Sequence, residues 1–236
     1  MVKVYAFDVD GTLSPSRLKI DKKFREFLLE FQKLNDVYLV TGSDKDKTIE
    51  QVTDEVWLNS KGCLQSCGNH IFVEGKEVWR NTWKPKADLL NMLNQFLKDS
   101  IYPIRTSNHI EKRIGLVNFS VVGRDCTQEE RDAYGIWDGL HKERLDMANK
   151  INKAFPELEA SVGGQISIDI HPKGANKSQA KEWILNQYKE NVEIHFFGDK
   201  TLPGGNDYDL AKVLTQPHKV YQVESWNETF SILKNK

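Results

Sequence analysis

A chain of 236 residues with 39% hydrophobic and 28% charged side chains, 15 Gly and 7 Pro has the make-up of a globular protein with one large or two modest domains, which excludes a disordered or fibrous chain. The 33 Lys and Arg against 34 Asp and Glu leave a net charge of −1, so neither nucleic acid nor an anionic membrane is the expected main partner, and any anion has to be bound locally. Cys63, Cys67 and Cys126 offer no disulfide framework and no zinc spacing, the apolar runs are strand-sized, and the N-terminus turns acidic by Asp8, so a cytoplasmic chain without membrane span or secretory signal is expected.

In chain order, Val2 to Phe7 reads as a strand buried on both faces, and Asp21 to Leu34 carries Phe24, Phe27, Leu28 and Phe31 at helical spacing, more fitting for a core than for a ligand box. Val37 to Val40 is a second apolar strand, followed by Thr41-Gly42-Ser43, an N-cap at Ser43 or Asp44 and a helix over Lys47 to Val52. Ile71 to Trp79 is strand-like with a turn at Glu74-Gly75-Lys76, Ile114 to Val122 is a long β-type run, and Gln165 to His171 alternates. The βα rhythm then returns: a helix at Lys177 to Tyr188, a strand at Val192 to Phe197, a loop at Gly198 to Gly205, a helix over Asn206 to Leu214, a strand at Lys219 to Val223 and a last helix. This order predicts an α/β fold with a Rossmann-like parallel-sheet core formed by residues 1–80 and 176–236, interrupted by an α+β insert at 81–175. The insert has 13 acidic and 13 basic residues, so it is not a basic nucleic-acid module.

The chemistry concentrates where strands end. Asp8-Val9-Asp10-Gly11-Thr12 follows the first strand, at the carboxyl edge where open parallel sheets bind ligands. Carboxylates two apart on a strand share a face and repel unless a cation or a proton intervenes. A turn would favour the same residue types, but the pair directly after a buried strand points to a nucleophilic carboxylate beside a carboxyl acid/base, with Mg²⁺ between them. The loop Gly198-Asp199-Lys200-Thr201-Leu202-Pro203-Gly204-Gly205-Asn206-Asp207 follows another buried strand and offers Asp199 with Asn206 or Asp207 as further oxygen ligands; a helix start capped by Asn206 is the alternative. Cations are needed because a carboxylate 4 Å from a phosphate dianion meets roughly 8 kcal/mol of repulsion at an effective dielectric of 20, about six decades in rate.

Four motifs, D-x-D-G-T at Asp8, Ser43 after the second strand, Lys177, and G-D-x(6)-N-D from Gly198, resemble those of the haloacid dehalogenase superfamily in their order. Longer strings, Asp8 to Arg17, Arg113 to Arg124, Cys126 to Arg131, Gly163 to Asp169 and Phe196 to Asp207, resemble the eukaryotic-type α-phosphomannomutases over essentially the whole chain. The resemblance implies Asp8 as the nucleophile, Asp10 as general acid/base and backbone-carbonyl metal ligand, Asp199 as carboxylate ligand, and Ser43 and Lys177 as holders of the transferring phosphoryl group. It also implies that the insert is a C2-type cap with a second anion site lined by Arg113, Arg124 and Arg131, that Asn118, Ser167 and Asp169 bond phosphate or sugar hydroxyls, and that Arg17 helps order the cap. Expected with it are Mg²⁺, hexose phosphate substrates, a hexose 1,6-bisphosphate activator, a place before GDP-mannose, and a homodimer through the caps. Planar guanidinium forks suit such an anion site. Gly68-Asn69-His70 departs from the family's acidic Asn-Gly turn. The core motifs alone leave a sugar-phosphate phosphatase open, and a catalytically dead sugar-phosphate sensor is the rival from another class, disfavoured by an intact nucleophile.

Overall fold

The first strand, β1 (Val2–Phe7), is buried from Val4 onward. It leads through α1 (Lys22–Leu34) into β2 (Asp36–Val40). Asp21 starts the helix by accepting from the backbone amides of Lys23 and Phe24, satisfying donors the helix itself leaves open. Next come α2 (Lys45–Val52), begun by Asp44 accepting from the Lys47 amide, and α3 (Asp54–Asn59). Then follow β3 (Gly62–Gln65), β4 (His70–Val73) and β5 (Lys76–Arg80). The expected turn between β4 and β5 forms with Glu74 and Gly75 both left-handed, at φ 50° and 76°.

The computed structural model describes residues 1–235, and there the chain divides into two compact units. One is residues 1–81 with those from Gly174 onward; the other is Thr82–Lys173. The second unit contains α4 (Ala87–Asp99), β6 (Ile110–Arg113), β7 (Leu116–Phe119), α5 (Gln128–His141), α6 (Glu143–Ala154), β8 (Leu158–Gly163) and β9 (Ser167–Pro172). Its strands form an antiparallel sheet in the order β6-β7-β9-β8. The β-type run from Ile114 to Val122 is therefore not one strand. It bends at Ile114-Gly115, where Gly115 takes φ 69°, a conformation that costs a glycine little, and β6 pairs back on β7. Val117, Phe119, Ile168 and Ile170 point to one face and pack with Leu93, Phe96, Tyr134 and Ile151 from the helices. Cys126 packs in this core as well.

The chain returns to the first unit through α7 (Gln179–Leu185), β10 (Val192–Gly198), α8 (Tyr208–Val213), β11 (Lys219–Gln222) and α9 (Trp226–Lys234). The helix expected from Lys177 starts two residues later, leaving Lys177 in the turn before it. The seven-stranded sheet has the order β11-β10-β1-β2-β3-β4-β5, parallel from β11 to β3. Alternation along β1 sends Tyr5 and Phe7 to one side, against Phe24, Leu28, Val56 and Leu233, and Val4 and Ala6 to the other, against Ala180, Ile184 and Leu210. Helices on both faces make parallel strands apolar throughout, and this places the polar residues that follow β1, β2 and β10 at the sheet's carboxyl edge.

Candidate active site

Asp8 follows the last residue of β1, and its backbone amide continues the ladder by donating to the Phe197 carbonyl at 2.9 Å. Its side chain is 2% exposed. Lys177, fully buried, donates from Nζ to Asp8 Oδ1 and to Asp207 Oδ1, each at 2.6 Å. Oxygens of Asp8, Asp199 and Asp207 lie within 4.8 Å of one another. Burial pushes the Asp8 carboxyl up to about 7; Lys177 opposes this and Asp207 adds to it. Burial alone would lower Lys177, but the Asp207 and Asp8 carboxylates outweigh it and hold the ammonium protonated. Asp199, half-buried, is also raised, first by burial, with Lys200 opposing and Asp207 adding.

The glycine of the first motif has a steric reason. Gly11 takes φ 82°, and a Cβ there would stand 2.6 Å from Asp199 Oδ2, so any larger residue would displace that carboxylate. Asp8 Oδ2 and Asp199 Oδ1 are buried without a hydrogen-bond partner. Buried anionic oxygens are costly unless neutralised, and an all-oxygen carboxylate set is the donor chemistry a hard divalent cation takes. The residues present thus fit Mg²⁺, with Asp8, Asp199 and Asp207 as the candidates to hold it. Asn206 is exposed on the loop while its neighbour Asp207 is buried against Lys177. The helix expected from Asn206 begins at Tyr208 without a side-chain cap, because the Asp207 carboxylate is spent on Lys177 and the Lys200 amide.

Asp10 is turned differently from Asp8. Its Oδ1 accepts from the Arg17 amide at 2.7 Å and from Gln51 Nε2 at 3.0 Å, and Ser16 Oγ lies 3.4 Å away. Its Oδ2 faces Ser43 Oγ at 3.4 Å. Asp10 and Ser43 therefore meet, while the Asp10 carboxylate stays outside the set formed by Asp8, Asp199 and Asp207. Arg17 reaches Asp10 through its backbone, at φ 61°, and is itself exposed. Near the departure from the family turn, buried Asn69 donates to the carbonyls of Ser66 and Ala175, tying β4's entry to the segment before Lys177.

A second polar site lies on the sheet of the other unit. Glu111, Asn118, Asp169 and Ser161 are register neighbours across β6, β7, β9 and β8, on the face opposite the core. Asn118 Nδ2 donates to Asp169 Oδ1 at 2.5 Å. Arg113 Nη2 donates to Glu111 Oε2 at 2.5 Å, Arg124 Nε lies 3.3 Å from the same oxygen, and Arg131 donates to the Arg124 carbonyl at 3.0 Å. Burial lowers Arg124, the Arg113 and Arg131 charges add to that, and Glu111 and Asp169 oppose it. Ser167 Oγ is buried and donates to the Gly163 carbonyl at 2.9 Å. The structure thus brings together Arg113, Arg124, Arg131, Asn118 and Asp169, with Ser167 at the β8–β9 turn.

The sequence reading missed Gln51, Glu111 and Arg144. Gln51 has no signal beyond its place on a helix, whereas Glu111 precedes Arg113 by two on a strand and so shares its face. Buried Arg144 pairs with Asp138 at 2.8 Å and donates to the carbonyls of Gly163, Gly164 and Ser167, fixing the β8–β9 turn; only the fold brings these groups together.

The family model described as eukaryotic phosphomannomutase matches residues 24–236. A phosphomannomutase of Nicotiana benthamiana is 36% identical over 86% of this chain and 82% of its own length. One from Drosophila melanogaster is 35% identical over 91% and 89%. Among solved structures, a haloacid dehalogenase-like hydrolase from Bacteroides thetaiotaomicron aligns with a TM-score of 0.64 at 12% identity over 100% of this chain and 99% of that one. Trehalose-6-phosphate phosphatase of Aspergillus fumigatus gives 0.60 at 17% over 99% and 93%. At such identities these structures establish the fold alone, a haloacid dehalogenase-like α/β core interrupted by an inserted α+β unit. No helix among the described residues is long and apolar enough to cross a membrane.

Proposed function

The chain belongs to the eukaryotic phosphomannomutase family, and from that premise we propose that it interconverts mannose 6-phosphate and mannose 1-phosphate by passing a phosphoryl group through Asp8. The observation that carries this reading is the buried trio of Asp8, Lys177 and Asp207, in which Lys177 holds one Asp8 oxygen and leaves the other without a partner. In the first half-reaction an Asp8 oxygen attacks phosphorus of a hexose 1,6-bisphosphate activator, the P–O bond to the sugar breaks, and the sugar oxygen takes the proton from Asp10. In the second, Asp10 removes the proton from the hydroxyl at the other end of a hexose monophosphate, which then takes the phosphoryl group back from Asp8. Ser43 and Lys177 bind the transferring group's oxygens, while Gln51 and the Arg17 amide aim Asp10. Mg²⁺ held by Asp8, Asp199 and Asp207, with the Asp10 carbonyl and Asn206 as further ligands, would offset the roughly 8 kcal/mol of repulsion between carboxylate and phosphate at 4 Å.

Arg113, Arg124 and Arg131 grip the phosphate that does not react, and Asn118, Ser167 and Asp169 bond the same phosphate or sugar hydroxyls, with Arg17 assisting. A phosphatase needs no such grip, since water can take the phosphoryl group. The product feeds GDP-mannose synthesis, and the cytoplasm is the proposed compartment. A homodimer through the second unit is proposed as well; Ile136 and Leu140, one turn apart on α5 and 72% and 79% exposed, support it. The test is to incubate the protein with Mg²⁺, mannose 1-phosphate and a trace of hexose 1,6-bisphosphate, measuring mannose 6-phosphate and free phosphate together. Mannose 6-phosphate is expected to dominate; free phosphate as the main product overturns the mutase reading.

A further inference from the structure

Glu111 has the opposite charge to a group that would bind an anionic ligand, yet it sits among the arginines assigned to one. The β6–β7 register sets Glu111 opposite Asn118, and the spacing of two puts it on the same face as Arg113. One of its oxygens takes both Arg113 Nη2, at 2.5 Å, and Arg124 Nε, at 3.3 Å. All three side chains are partly open to solvent, at 33%, 34% and 23% exposure. The carboxylate also opposes the lowering of Arg124 that burial, Arg113 and Arg131 bring about. Without it, guanidinium groups of like charge would face one another and spread apart.

We propose that Glu111 is a built-in, displaceable counter-ion: it holds Arg113 and Arg124 side by side in the ligand-free protein and competes with the phosphate for their donors, which keeps the grip loose enough for a bisphosphorylated sugar to let go and turn round. This rests on the arginine cluster being the phosphate site. Each guanidinium has five N–H donors, so one shared carboxylate oxygen orients the two forks without using them up. An arriving phosphate takes the remaining donors and meets the Glu111 charge as a repulsive neighbour. Glu111 is a positioning residue, and no atom is transferred to or from it.

The test is Glu111→Gln, which keeps an acceptor for both arginines and removes the charge. The full chain, with a chelator present so that the carboxylate site repels anions, is titrated with inorganic phosphate by calorimetry. Binding is expected to tighten roughly fivefold, the upper end for one partly exposed charge pair, and the gain should shrink at high salt. In turnover both KM and kcat are expected to fall, because release slows, while Glu111→Asp restores wild-type values. A residue that merely braces the strand would change the unfolding midpoint without tightening phosphate. Arg124→Ala separates the layers. If it abolishes phosphate binding while Glu111→Gln leaves the affinity unchanged or weaker, the counter-ion role is refuted and the phosphate site stands. If Arg124→Ala leaves binding intact, the site assignment falls and the counter-ion role falls with it.

Discussion

Among the described residues, Lys177 is the one cation bonded to the buried Asp8 and Asp207, and its ammonium has no contact with solvent. Stripping an ammonium of water costs several kcal/mol, and only the facing carboxylates offset it; removing one member of such a group leaves uncompensated charge. Lys177→Met keeps the length and apolar stem but leaves Asp8, Asp199 and Asp207 facing one another. It is expected to lower stability by about 3–5 kcal/mol in urea unfolding with a chelator present. Asp8→Asn acts the other way on the fold: it removes one of three clustered negative charges and keeps an oxygen for Lys177, so its midpoint should equal or exceed the wild type's. The same substitution should abolish phosphoryl transfer, because an amide oxygen is a poor nucleophile. An Asp8→Asn protein that turns over at the wild-type rate refutes the nucleophile assignment, and a Lys177→Met protein as stable as the wild type refutes the account of the buried trio.

The β8–β9 hairpin shows how a secondary-structure element sets up the second site. Asp169 on β9 faces Asn118 across the ladder, and a Cβ at Gly163 would run into the Asp169 carboxylate. Gly163→Ala is therefore expected to push Asp169 off Asn118 and raise KM for mannose 1-phosphate about fivefold, the lower end of the 1–3 kcal/mol of overpacking, with kcat changed far less. A crystal structure of the variant with Asp169 still on Asn118, or unchanged kinetics, would contradict this. The strands themselves were legible because Ile168 and Ile170 alternate with Ser167 and Asp169, and a period of two also fixes which residues face the core. The break at Ile114-Gly115 was not, since apolar residues continue through it and only the positive φ of Gly115 marks the turn. Asp8, Lys177 and Asp199 could be read because strand ends and motif spacing announce them. Gln51 and Arg144 could not, because their partners are brought to them only by the fold: Ser14 and Asp10 for Gln51, the Gly163 to Ser167 turn for Arg144.

At the scale of the whole molecule, the interruption of one α/β pattern by another texture was readable because a parallel sheet must resume with βα units after the insert, as β10 and β11 do. Each unit has its own apolar core: Tyr5, Phe7 and Phe24 with Val4, Tyr38 and Ile184 in one, Leu93, Val117 and Ile168 in the other. The carboxylates fitted to a cation all belong to the first unit, and the arginine cluster belongs to the second. A ligand stabilises only the conformations that bind it, by about 2.7 kcal/mol at a hundred times its dissociation constant, a factor of about a hundred in the opening equilibrium. Hydrogen exchange should therefore separate the two ligands. Saturating Mg²⁺ is expected to slow exchange in β1, β10 and the 198–208 loop by up to about a hundredfold and leave β7 and β9 unchanged, while inorganic phosphate with a chelator should slow β6, β7 and β9 and leave β1 and β10 unchanged. Equal slowing of β7 by Mg²⁺ would mean that the two cores open as one cooperative body, and slowing of β7 alone would place the cation away from Asp8.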